Sequence, residues 1–182
     1  MKSFLVCGVL AALCGLALSG CIDSSGPILT DAQPVLGPKL NLQLYALRDG
    51  HALDPERARF SWNGKLYLQS GHGMNDVKGF TVHPFEGGDF IIQSLPTRHP
   101  QITEYALMRK LAEGVYQVIA LDEDDADAAT RAAECKHPSG AACRIETREQ
   151  LFTFARATAA KRKTDGGLAI QLDDAPHPQR RP

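Results

Sequence analysis

From Leu40 to Ala46 every second residue is apolar: Leu40, Leu42, Leu44 and Ala46 alternate with Asn41, Gln43 and Tyr45. Successive strand side chains point to opposite faces, so this period of two specifies a β-strand with one face that must be covered. Downstream, Asn63-Gly64 lies between Arg59-Phe60-Ser61-Trp62 and Lys65-Leu66-Tyr67-Leu68. Asn-Gly tolerates the positive φ of a type I′ turn, which predicts a hairpin with a two-residue loop. That register sets Trp62 opposite Lys65 and Phe60 opposite Tyr67, with Leu66 and Leu68 on the other face. Both faces then carry apolar groups, as in a strand pair inside a sandwich or beneath a helix. A second hairpin is expected between Gly79–Val82 and Phe90–Gln93 through Glu86-Gly87-Gly88-Asp89. Tyr105, Leu107 and Leu111 also fit a helix, but Glu113-Gly114 followed by Val115 to Ile119 reads as a turn into a strand, so a third hairpin is preferred there.

Beyond Leu121 the chain becomes helical in character. The acidic run Asp122 to Asp127 precedes an alanine-rich stretch, and acids at the start of a helix complement its dipole. Thr147 and Gln150 form a capping-box pair for a longer helix from Arg148 to Lys163. Its apolar stripe is Leu151, Phe152, Phe154, Ala155 and Ala159, and Gly166-Gly167 stops it. Leu168 to Leu172 reads as a closing strand. The expected fold class is α+β: an antiparallel sheet of about six strands with the C-terminal helix packed on it. The chain has 182 residues, 43% of them hydrophobic, enough for one core, and the single globular domain is placed at 39–172. A formal net charge of −1 leaves no excess of cations for a phosphate backbone, so no nucleic acid partner is expected.

The amino terminus carries a different message. Lys2 is followed by an apolar run from Phe4 to Leu18 and then by Ser19 and Gly20. The run is shorter than the roughly 20 residues a helix needs to cross a bilayer, so residues 1–20 read as a secretory signal peptide. Leu18-Ser19-Gly20-Cys21 resembles the lipobox of bacterial prolipoproteins: an aliphatic residue, two small residues and a cysteine at the end of a charged, then apolar, leader. The resemblance covers residues 1–21 and implies that Cys21 is the lipidation site. Its thiol takes a diacylglyceryl group, a peptidase cuts before it, and the new amino group is acylated. Two or three acyl chains make a lasting membrane anchor where one does not. Asp stands at position 23 and not directly after the cysteine, which by the same resemblance favours the outer membrane, facing the periplasm.

Removing the leader simplifies the cysteines. Cys7 and Cys14 leave with it, Cys21 is lipidated, and Cys135 and Cys143 remain as a pair expected to close in an oxidising periplasm. A metal or redox pair is the rival reading, although zinc and thioredoxin-like motifs use tighter spacing. Residues 21–38, rich in Ser, Gly and Pro, have the composition of a lipidated flexible tether reaching about 20–25 Å. Residues 173–182 read as a disordered tail.

Candidate chemistry is sparse. The acidic run fails as a calcium loop, because a start at Asp122 would need glycine at Asp127 and glutamate at Ala133. Gly71-His72-Gly73-Met74-Asn75-Asp76 offers an acid/base pair in His72 and Asp76, with His83 as a neighbour across strands. There is no GxSxG elbow, no Walker sequence, no dinucleotide fingerprint and no HExxH, so neither cofactor nor metal is expected. Phe60, Trp62, Tyr67, Phe80, Phe85 and Phe90 could line a cleft, with core packing the cheaper explanation. The preferred function is a non-enzymatic binding or assembly module of the cell envelope, anchored through Cys21, with an envelope protein or peptidoglycan as partner. The alternative is a small periplasmic hydrolase using His72, Asp76 and His83.

Overall fold

The computed structural model describes residues 22–48, 51–52, 55–70, 77–96, 102–136, 143–161 and 166–172. Its strands are β1 (Ile22–Ser24), β2 (Lys39–Arg48), β3 (His51–Ala52), β4 (Glu56–Trp62), β5 (Tyr67–Gln69) and β6 (Val77–Pro84). They continue with β7 (Phe90–Pro96), β8 (Thr103–Ala112), β9 (Val115–Ala120), β10 (Cys143–Arg144) and β11 (Gly166–Gln171). Among the described residues two α-helices, α1 (Ala128–Glu134) and α2 (Arg148–Ala160), precede the last strand.

Eight of the strands form a closed antiparallel barrel. Neighbours run β2, β4, β5, β6, β7, β8 and β9 in chain order, and β11 closes the ring between β9 and β2. This corrects the expected six-stranded sheet with a helix on it. The sheet curls onto itself, abolishing its edges, and the alternating residues that needed cover meet in the barrel interior. That interior holds Leu40, Leu42, Leu44, Ala46, Ala58, Phe60, Tyr67, Phe80, Val82, Ala106, Met108, Tyr116, Val118 and Ala169. Outside, α2 and the N-terminal segment cover one wall, burying Leu151, Phe154 and Ala155 against Ile91, Leu107, Leu121 and Ile145.

The first hairpin stands where expected, with its register moved by two residues. Trp62 pairs with Tyr67, Ser61 with Leu68 and Phe60 with Gln69. Asn63 does not end a two-residue turn: its Oδ1 accepts from the N–H groups of Lys65 and Leu66, which winds the loop out to Leu66. Trp62 and Tyr67 therefore share the inner face, their rings 5.1 Å apart. Leu66 and Leu68 fold over Gly79, where an added Cβ would lie 2.1 Å from Leu66 Cδ1 and 2.8 Å from the Tyr67 carbonyl.

The expected tether is also corrected from its first described residue. Where β9 ends, β1 takes its place beside β8, pairing Asp23 with Glu104 and Ser24 with Thr103, and it pairs β10 on its other side. Ile22 and Leu29 are buried. Ser-Gly-Pro composition suggested flexibility, but the apolar residues spaced among them find a barrel wall to bury against.

Candidate functional site

The two poles of the barrel differ. At one pole lie the start of β2, the β4–β5 turn, the Glu86–Gly88 turn between β6 and β7, and the β8–β9 turn. This pole is plugged. The segment Pro34 to Pro38 lies across it: Trp62 N–H donates to the Pro38 carbonyl at 2.9 Å, Tyr67 Oη donates to Gly37 at 2.9 Å, and Leu36 packs on the core. The interior behind the plug is filled by rings, with Phe60 to Phe80 at 4.9 Å, Tyr67 to Phe80 at 5.2 Å and Phe90 to Tyr116 at 6.3 Å. The aromatic residues that could have lined a cleft are core here, except Phe85, which packs outside against Phe152.

At the opposite pole, strand parity brings a different set of residues to the inner face. Ala46 on β2, Glu56 on β4, Gln69 on β5, Ser94 on β7, Glu104 on β8, Ala120 on β9 and Gly167 on β11 continue the alternation of the buried core. Small residues predominate, and Glu56, Gln69, Ser94 and Glu104 bring oxygen acceptors. Glu56, Gln69, Glu104 and Ala120 are half-buried; among the described residues this layer is the end of the barrel interior, termed the mouth. Sequence reasoning missed this layer, because Glu56 and Glu104 read as ordinary strand polar residues until the barrel closes.

The first described residue, Ile22, lies toward the same pole. Ile22 N–H donates to the Leu121 carbonyl at 3.3 Å, and β1 sits beside Thr103 and Glu104. Cys21, itself outside the described residues, is bonded to Ile22.

From β1 the N-terminal segment crosses the outer wall as a strap. Gln93 Oε1 accepts from the N–H groups of Ile28 and Leu29 at 3.0 and 2.9 Å, and its Nε2 donates to the Leu29 carbonyl at 3.0 Å and to Thr81 Oγ1 at 3.1 Å. Tyr105 Oη lies 2.7 Å from Ser24 Oγ. Beneath this strap His83 is buried, its Nε2 2.8 Å from Thr81 Oγ1. Burial pushes its imidazole below the ordinary value, Arg148 adds to that, and Asp31 opposes it.

His72 and Asp76 lie outside the described residues. His83 stands near the plugged end of β6, whereas Val77, the residue after Asp76, begins that strand at the mouth. Six residues of strand separate the two, about 20 Å. The described part of the fold thus brings His83 to the strap and not to the mouth, and its hydrogen-bond partner there is a threonine.

Cys135 and Cys143 form a disulfide joining the end of α1 to β10. Glu123 Oε2 lies 3.6 Å from Cys135 Sγ, and one ligand atom from each of Glu123, Cys135 and Cys143 falls within 4.8 Å of the others. This cluster was not foreseen, since Glu123 belonged to a run explained by helix polarity. Among the described residues no helix is long and apolar enough to cross a membrane. On β2 and β4 the outward residues are Lys39, Asn41, Gln43, Arg57, Arg59 and Ser61, and Leu40, Leu42, Leu44 and Phe60 face inward. That polarity is the reverse of a membrane-spanning barrel.

No family model, curated protein or solved structure matches this chain.

Proposed function

We propose that this chain is a lipoprotein of the bacterial cell envelope, held in the outer membrane by acylated Cys21 and facing the periplasm, and that its barrel is a binding module. The observation that carries the reading is the asymmetry of the interior: rings and a plug at one pole, small side chains and oxygen acceptors at the other. A uniformly filled barrel would be only a scaffold. A barrel whose bulk tapers toward one mouth suits a slender ligand that donates hydrogen bonds.

Anchoring and binding support each other in this reading. Because β1 follows Cys21 with no spacer, the lipid would hold the mouth against the membrane surface, and the ligand would come from that surface or from the envelope beside it. The Cys135–Cys143 disulfide suits an oxidising compartment. The motif Leu18-Ser19-Gly20-Cys21 supplies the modification.

Two variants test the proposal. Cys21→Ser should move the protein from the membrane fraction to the soluble one, and retention in the membrane at the wild-type level would contradict the anchor. Ala120→Trp should obstruct the mouth, because Ala120 is half-buried at its rim. In native mass spectrometry of protein extracted from envelopes, wild type should carry a non-covalent small-molecule adduct that the tryptophan variant loses. Equal occupancy in both, or none in wild type, would contradict the binding site.

A further inference from the structure

We propose that reduction of the Cys135–Cys143 disulfide creates a metal site, with Cys135, Cys143 and Glu123 as its protein ligands and a borderline-soft divalent ion such as zinc as its occupant. The argument is geometric. In a tetrahedral zinc site with Zn–S near 2.3 Å and Zn–O near 2.0 Å, a sulfur and an oxygen ligand stand about 3.5 Å apart. Glu123 Oε2 already stands 3.6 Å from Cys135 Sγ. A disulfide sulfur carries no proton, so this approach is not a hydrogen bond in the oxidised form. The remaining requirement is for the two sulfurs to separate to about 3.8 Å, which breaking their bond allows.

The surroundings suit such a site. Cys143 is fully buried at the start of β10, which fixes one ligand in the wall of the fold. Cys135 caps α1, and Glu123 opens the short turn Glu123–Asp125, whose Asp125 is tied to Thr158 of α2 at 2.8 Å. Cys135 and Glu123 are half-buried, which leaves a side open for a water molecule as fourth ligand. The chemistry balances with a dithiol as reductant: it gives two electrons and two protons to the disulfide and becomes a disulfide itself, and each new thiol releases its proton when it ligates the ion. The oxidised protein offers only the carboxylate and binds no such ion there.

Cobalt(II) titration of the mature chain without its acyl group, made as Cys21→Ser, tests the proposal. The oxidised protein is compared with protein reduced by a phosphine, and far-UV circular dichroism is recorded throughout. Reduced protein should develop thiolate-to-cobalt charge-transfer absorption that zinc abolishes, and oxidised protein should not. Glu123→Gln should weaken cobalt binding about 10–100-fold, the range seen when a metal site loses a supporting group. If reduction loosens the fold, the ion should restore it, since binding free energy to the native form stabilises that form. Absence of the thiolate band in reduced protein would overturn the proposal, whether or not the fold had loosened. Unchanged affinity in Glu123→Gln would also overturn it.

Discussion

At the scale of single residues, the burial of His83 beneath the strap over β6, β7 and β8 predicts that acid lowers stability. His83 is buried with its imidazole held below the ordinary value, so the unfolded chain takes up a proton at a higher pH than the folded one. Its neutral form costs nothing above the unfolded value of 6.5. Stability then falls as pH drops below that value and levels off beneath the folded one. His83→Gln should flatten this slope in denaturant titrations across pH, and an unchanged slope would place the acid sensitivity elsewhere. Thr103 poses the opposite problem: its hydroxyl is buried without a hydrogen-bond partner among the described residues. Thr103→Val should therefore raise unfolding stability by about 1 kcal/mol, read from the denaturation midpoint. Gly79→Ala should lower it by about 1–3 kcal/mol, because the Tyr67 carbonyl that the new methyl meets belongs to a paired strand.

At the scale of elements, the disulfide and the helix cap are the devices to remove. Cys135 and Cys143 close a loop with a sequence separation of 8. Replacing both with alanine should cost about 2.5 kcal/mol by the chain-entropy estimate, measured by urea unfolding. In Thr147 the side chain accepts from Gln150 N–H, and Gln150 reaches back to the Thr147 backbone, so Thr147→Ala should cost about 1 kcal/mol. These local devices were legible because spacing along the chain encodes them. The capping box and the second and third hairpins stand where the residue pattern put them, and the closing strand does too except that it takes in Gly166 and Gly167, which pair with Leu47 and Ala46. The β4–β5 loop was misjudged because Asn63 satisfies two N–H groups with its own side chain, an option that the Asn-Gly pair does not reveal.

At the scale of the whole molecule, closure decides what the residues mean. The pairing of Leu47 with Gly166 joins strands from opposite ends of the chain, and no local period encodes it. Until that pairing is known, Glu56 and Glu104 are polar residues on separate strands. Afterwards they belong to one layer at one pole, and β1 pairs beside Glu104. The same fold turns the first residues of the expected tether into β1, so an anchor at Cys21 would stand next to the folded body. The central claim of the proposed function is therefore one of orientation: a lipid at Cys21 would hold the mouth at the membrane and the plugged pole away from it. Spin labels at exposed Ala52, on the mouth side, and at exposed Gly87, in the turn at the plugged pole, read this directly when acylated protein is reconstituted into vesicles containing paramagnetic headgroup lipids. Relaxation enhancement should be strong at position 52 and weak at position 87; equal enhancement at the two, or the reverse order, would contradict the account.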